Sequence, residues 1–250
     1  MSHVHLSIKD GIGTVEFFTK ESNSLPGAIL KKLAETITEA GEDPNVKVII
    51  LKSEGHRAFC AGASFDELMA IQDEASGKEF FMGFAHVINA MRKAPKFIIG
   101  RVQGKAVGGG IGLAAATDYC FATKHAAIKL SELSLGIGPF VVGPAIERKV
   151  GLSAMSQMGI NADDFYDPKW AHQKGLFAKL YDDIKALDKA VAELATKLSK
   201  YSPEAMANLK QVFWEGTEDW DELLAARAEI SGNLVTSDFT KAFIQKFKSK

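Results

Sequence analysis

The chain has 250 residues, 46% of them apolar and 24% charged, with a formal net charge of −1. That length can bury a large core without metal or disulfide support, and the near-neutral balance gives no electrostatic reason to expect a nucleic-acid or membrane partner. No apolar run approaches the ~20 residues of a membrane span. Met1-Ser2-His3-Val4-His5 has neither the basic start nor the apolar stretch of a signal peptide. The two cysteines, Cys60 and Cys120, read as small buried side chains in a reducing, cytoplasmic setting.

Residues 4–9 and 14–18 alternate in polarity on either side of Asp10-Gly11-Ile12-Gly13, which predicts a β-hairpin. Apolar positions at helical spacing over 26–40, with Pro26 near the start, predict a helix. Residues 46–51 and 96–102 are short apolar runs of the kind found in strands buried on both faces. Residues 58–63 read as a loop of small residues. A long helical pattern covers 65–91, with a break expected around Ala75-Ser76-Gly77. Helical spacing returns over 111–117, and two short strands are expected at 118–122 and 127–130. Strand signals fade from Pro139 onward, and helices are expected at 182–199, 203–215, 218–233 and 237–248. Strands alternating with helices over the first two thirds predict an α/β sheet with crossovers.

Two loops of small residues follow the predicted buried strands. One is Phe59-Cys60-Ala61-Gly62-Ala63; the other is Gly108-Gly109-Gly110, which opens a helix. Consecutive glycines let a ligand approach the main chain, and free N–H groups at a helix start favour a negative oxygen. Side by side, the two loops could aim two N–H groups at one oxyanion. Tight turns or close helix packing would account for the same glycines. Glu132 ends an apolar strand pattern and is followed by small and apolar residues through Val142. A carboxylate against such neighbours has its charged form disfavoured, which tunes it towards acid/base work. A solvated loop carboxylate is the plainer alternative for that segment alone.

Other chemistries find less support. Gly110-Ile111-Gly112-Leu113-Ala114-Ala115 matches a dinucleotide-binding pattern, but the turn leading to it from the preceding strand is long. Gly100 to Lys105 is one residue short of a phosphate loop, and Ala106 stands where Ser or Thr is needed. The six histidines show no metal spacing, so no metal is expected. No Gly-x-Ser-x-Gly nucleophile elbow is present. The lysines at 241, 246, 248 and 250 read as a solvated helix face that could also meet ligand phosphates.

Three segments resemble motifs of the crotonase (enoyl-CoA hydratase/isomerase) family. Ala58-Phe59-Cys60-Ala61-Gly62-Ala63-Ser64-Phe65 is similar to its "AFxAGAD" loop. Gly104-Lys105-Ala106-Val107-Gly108-Gly109-Gly110 is similar to "GxAxGGG". Ser131-Glu132-Leu133-Ser134-Leu135-Gly136, with Pro139, is similar to "PExxLGxxP". The likeness runs from the hairpin to the last helix. It implies a crotonase-like spiral of ββα units over 1–195 and a C-terminal helical trimerisation region over 196–250, packing on the core and a neighbouring subunit. It implies a homotrimer or dimer of trimers, an acyl-CoA thioester as substrate, and no further cofactor. Glu132 matches the family's acid/base, and the N–H groups of Ala61 and Gly109 match its oxyanion donors. Substrate contacts fall by the same likeness on Lys20, Glu21 and Ser22, on Ala61, Gly62, Ala63 and Ser64, on Gly109, and on Phe243 near the adenine and Lys246 near a phosphate.

The departures are informative. Hydratases of the family carry a first glutamate in "GGGxE", and that position is Gly112 here. Ser64 replaces the Asp of "AGAD". Isomerases that move a 3-enoyl double bond to the 2-position typically keep only the second carboxylate, in a context similar to Leu130-Ser131-Glu132-Leu133-Ser134-Leu135-Gly136-Ile137. The favoured expectation is therefore a 3-enoyl-CoA to 2-enoyl-CoA isomerase with Glu132 as its one base. A hydratase or lyase that recruits Asp66, Glu67 or Glu79, an NAD-binding oxidoreductase, and a non-catalytic CoA-binding subunit stay open as alternatives.

Overall fold

The structure is a computed structural model that describes residues 1–248, apart from the side chains of Ile244, Lys246, Phe247 and Lys248. It opens with the hairpin: β1 (His3–Lys9) pairs antiparallel with β2 (Ile12–Phe18), and Lys9 faces Ile12 across a two-residue turn. Asp10 and Gly11 both take positive φ, 52° and 79°. Asp-Gly tolerates that conformation, which a twist-matched tight turn requires.

From β2 the chain adds parallel strands one unit at a time. Helix α1 (Gly27–Glu42) leads to β3 (Val48–Ser53), then β4 (Ala58–Cys60), α2 (Phe65–Ala70) and α3 (Glu74–Lys93). The next unit is β5 (Ile98–Val102), β6 (Lys105–Val107) and α4 (Gly109–Ala116). The third is β7 (Tyr119–Thr123), β8 (Ile128–Lys129), a 3-10 turn (Leu133–Leu135) and α5 (Gly143–Ile160). The longer strands, with β9 (Lys179–Tyr181), form a six-stranded sheet in the order β1-β2-β3-β5-β7-β9. The short ones form a second sheet, β4-β6-β8. Each β-β-α unit thus contributes one strand to each sheet. The small sheet is parallel, with Cys60 beside Ala106 and Val107 beside Lys129. The segments that leave its carboxyl ends therefore emerge together: 61–64, 108–109 and 130–132. Open parallel sheets collect ligands at that end.

The hydrophobic pattern explains the layers. Strands β3 and β5 are buried on both faces, which is why they read as continuous apolar runs. One face meets the main core with α1, α3 and α4. The other, through Val48, Ile50, Ile99 and Phe121, meets Leu187, Val191 and Ala195 of α7 (Ile184–Leu198). Arg101 in β5 is the polar exception on that face, and its guanidinium is held by Asp188 at 2.7 and 3.2 Å. Helices α6 (Pro168–Gln173), α8 (Pro203–Phe213), α9 (Trp220–Val235) and α10 (Asp238–Lys248) complete the chain. None of the described helices is long and apolar enough to cross a membrane.

Four expectations are corrected. The break in the 65–91 helix falls at 71–73, because Asp73 and Ser76 form a reciprocal capping box that starts α3. Residues 58–63 are not all loop, since β4 occupies 58–60. Beyond Pro139 the strand β9 does occur, closing the sheet edge; like β4 and β6 it has three residues, too few for a period to show. Helix α5 was not anticipated: Gly151 breaks its regularity at φ 79°, and Leu152 and Ile160 lie exposed on it.

Gly77 stands inside α3 rather than at its break, because α3 and α9 cross there almost backbone to backbone. A Cβ on Gly232 would lie 2.5 Å from the Lys78 nitrogen and 2.8 Å from the Glu74 oxygen. Main-chain atoms cannot swing aside, so Gly232→Ala is expected to lower stability by about 1–3 kcal/mol, although Ala is otherwise the better helix former. Gly159 in α5 meets nothing nearer than 4.0 Å, so Gly159→Ala should instead raise stability by up to ~1 kcal/mol. Denaturant midpoints of the two variants check the opposite signs.

Candidate active site

Each of the three segments at the carboxyl end of the small sheet has its own reason for its sequence. After β4, Gly62 takes φ 90°, and a Cβ there would come within 3.0 Å of the Val107 oxygen and 3.6 Å of the Gly109 nitrogen. Only glycine allows both the conformation and the approach. The loop is tied to residues 22–25: the Leu25 N–H donates to the Gly62 oxygen at 2.8 Å, and the Ser64 N–H donates to the Leu25 oxygen at 3.1 Å. Ser64 caps α2 by accepting from the Glu67 N–H. Serine and aspartate are equivalent N-caps, so the departure from "AGAD" keeps the loop's architecture.

After β6, Gly108 adopts φ 51° and ψ −118°, a conformation open to glycine. The Glu132 carboxylate lies over it: Oε1 is 2.8 Å from where a Cβ would stand. Gly109 begins α4, so its N–H has no intrahelical acceptor. The Phe84 ring rests on its bare Cα, within 2.1 Å of a Cβ position, and Gly110 similarly accommodates the Cys60 carbonyl. Gly110 and Gly112 lie inside α4 rather than in a strand-to-helix turn. The glycines of the dinucleotide-like pattern thus serve helix packing.

After β8 the chain enters the 3-10 turn. The Leu135 and Ile137 N–H groups both donate to the Glu132 main-chain oxygen at 3.1 Å, which holds the residue in place. Its Oε2 is buried and has no hydrogen-bond partner among the described residues. Burial in these surroundings pushes the Glu132 carboxyl up to about 7. Beneath the turn, Gly136 packs against Phe239 and Thr240 at the start of α10.

These segments enclose a cavity of ≈ 870 Å³. Ala61, Gly62, Ala63, Ser64, Gly108, Gly109 and Glu132 line it, with Phe81, Phe84, Ile137, Val141 and Val142 as apolar wall. Glu21, Ser22, Asp66, Lys129, Asp163 and Phe243 are also among its lining residues. Asn23, at φ 59°, fixes the 19–25 segment at this edge by donating to the Glu54 and Ala58 oxygens.

The structure brings most of the sequence-predicted residues together here. Lys20 is exposed and outside the lining, and the Lys246 side chain lies outside the described residues. Of the substitute acids, Asp66 lines the cavity. Glu67 is engaged by the Gly27 N–H at 2.6 Å, and Glu79 is exposed and outside the lining. Val142 was missed. It packs on Gly112 and forms cavity wall, a contact made only by the tertiary fold. A larger surface groove of ≈ 1020 Å³ between α1 and α3 is lined by helix side chains such as Glu35, Glu39, His86 and Lys93; Glu132 and the glycine loops lie elsewhere. The ligand atoms of His3, Glu16 and Glu54 come within 4.8 Å of one another, which sequence spacing did not show. Lys52 already pairs with Glu16 at 2.5 Å, and none of the three lines the cavity.

A spiral of ββα units, here gathering a desolvated carboxylate and two glycine-rich loops around an apolar cavity, defines a crotonase-type fold. Comparison with known proteins agrees. Residues 7–250 match the family model described as Enoyl-CoA hydratase/isomerase, and the chain belongs to that family. It is 27% identical over 253 residues to a probable enoyl-CoA hydratase of Bacillus subtilis (strain 168), covering 100% of this chain and 97% of the relative. It is 29% identical over 235 residues to a short-chain-enoyl-CoA hydratase of Clostridium acetobutylicum, covering 92% and 89%. The crystal structure of an enoyl-CoA hydratase from Bacillus halodurans superposes with a TM-score of 0.89 at 20% identity, covering 97% of this chain and 99% of that one. That last likeness is one of fold.

Proposed function

We propose that the protein is an enoyl-CoA isomerase that moves a 3-enoyl thioester double bond to the 2-position with Glu132 as its lone base. The observation that carries this reading is Gly112: the position of the first hydratase glutamate has no side chain, and Val142 is packed against it. In the proposed reaction the thioester oxygen accepts from the N–H groups of Ala61 and Gly109. Glu132 removes a proton from C2, and the C2–H electrons form a C1=C2 enolate bond as the C1=O π pair moves onto the oxygen. As C1=O re-forms, the C1=C2 pair shifts to C2=C3 and the C3=C4 π pair becomes available at C4. The same carboxyl then returns its proton to C4, giving the 2-enoyl thioester. One base suffices because the proton leaves and re-enters the same molecule, and the oxyanion pair stabilises the dienolate between the two transfers. Acyl-CoA would enter past Ser22 and Phe243, and the steps draw on no metal or other cofactor. The proposed assembly is a homotrimer or dimer of trimers, for which exposed Leu152, Ile160 and Phe239 offer apolar surface for subunit contact.

The base must be ionised to act. With Glu132 at about 7, kcat/KM for a 3-enoyl-CoA should fall about tenfold per pH unit below that value and level off above it. A hydratase is the second reading, favoured by the names of the relatives and by Asp66 in the cavity lining. Incubating the purified protein with a 3-enoyl-CoA and with crotonyl-CoA, with product identification, separates the two. Conversion of the first to its 2-enoyl isomer is expected; ready hydration of the second without isomerisation of the first overturns the proposal.

A further inference from the structure

The cavity wall beside Gly112 is built by exclusion. A Cβ at position 112 would stand 2.6 Å from Val142 Cγ1 and 2.7 Å from Val142 Cβ, closer than real Cβ contacts. Part of that clash is with the Cβ itself, so no rotamer of Val142 relieves it. Positions 112 and 142 therefore cannot both carry a Cβ in this backbone. Val142 is held where it is by the turn that precedes α5: the Gly143 N–H donates to the Pro139 oxygen at 2.7 Å, and Phe140 folds back over Gly138. Only 5% of Val142 is exposed, and it lines the same cavity as Glu132.

We infer that Val142 is a specificity-determining residue that suppresses hydration by occupying, with an aliphatic side chain, the place from which a second carboxylate would hold water. The inference rests on the proposed role of Glu132 as lone base. A water poised for addition needs two to four polar partners. The isopropyl group offers it neither a donor nor an acceptor. Proton return to C4 asks nothing of this wall, because the proton is already on Glu132. Val142 thus biases the partition of a common acyl-CoA site towards double-bond migration without touching the proton that moves.

Two variants test this. Val142→Thr conserves shape and adds a hydroxyl to the cavity wall, at a position whose side chain caps no helix N–H. Gly112→Glu combined with Val142→Gly installs the second acid and removes the atoms it would strike. Both are assayed for the ratio of hydration to isomerisation, using crotonyl-CoA and a 3-enoyl-CoA, after their fold is verified by circular dichroism. The ratio is expected to rise several-fold in Val142→Thr and about 10²-fold in the double variant, the lower end of the range for a positioned acid/base group. A folded Val142→Thr whose ratio stays at the wild-type value, with isomerisation intact, overturns the inference and leaves the isomerase reading standing. Wild-type protein that hydrates crotonyl-CoA but does not isomerise a 3-enoyl-CoA overturns both.

Discussion

Glu132→Gln is expected to lower kcat by about 10²–10⁴-fold and, at pH 8, to raise the melting temperature. The two effects share a cause. Gln keeps the shape of the side chain but can neither accept the C2 proton nor carry a charge. The wild-type carboxyl is pushed from 4.5 to about 7 by burial. Below pH 4.5 both the folded and unfolded chains are protonated at this group, and the variant gains nothing. Between 4.5 and 7 the folded chain keeps a proton that the unfolded chain gives up, so the wild type loses stability as pH rises. Above 7 both states are ionised and the full cost of a buried charge stands. That cost is about 2 kcal/mol once the opening of the cavity to solvent is allowed for, or roughly 4–8 °C in a chain of this size. Melting curves of the two proteins should coincide near pH 4.5 and separate towards pH 8. Curves that stay parallel over that range would show that the carboxylate is solvated, and its catalytic assignment would lose its physical basis.

The parts of this site that could be read in the sequence are those written in local pattern. Continuous apolar runs marked β3 and β5, because a strand covered on both faces has no polar positions to spend. The glycines at 62 and 108–110 and the carboxylate at 132 stood out because close main-chain approach and desolvation demand those residue types. Two features hid the rest. Strands of three residues, β4, β6 and β9, are shorter than any period, so of the second sheet only β8 was anticipated, although that sheet's register is what aligns the loops. Gly77 looked like a helix break because its reason, the α9 backbone at Gly232, lies more than 150 positions away in the chain. Val142 was hidden in the same way. Gly112 announced a missing acid, but what stands in its place follows only from the packing of α5 on α4.

Lys210→Met is the substitution away from the cavity expected to cost most. The Lys210 side chain is 2% exposed, and its ammonium is fully engaged: it lies 2.9 Å from Asp118 Oδ2 and donates to the Met91 oxygen at 2.8 Å and the Lys96 oxygen at 2.9 Å. Asp118, 5% exposed, also accepts from the Ile98 N–H at 2.7 Å and from Trp214 Nε1 at 2.9 Å. One buried pair thus fastens α8 to the end of α3, the start of β5 and the junction between α4 and β7. Burial lowers the Lys210 pKa, while the Asp118 charge opposes that shift and favours the ammonium. Methionine fills much of the volume but strands two carbonyls and leaves a buried carboxylate without its cation, a loss of about 3–5 kcal/mol. Lys149, whose ammonium donates to the main-chain oxygens of Thr117 and Asp118, stands close enough to soften it. The double variant Lys210→Met/Asp118→Asn separates charge from packing, since asparagine removes the orphaned charge while keeping an oxygen for Ile98 or Trp214. Urea unfolding should show the double variant recovering part of the single variant's loss. A single variant within about 1 kcal/mol of wild type would place the pair among ion pairs of little net worth, and the anchoring of α8 would then fall to its apolar contacts alone.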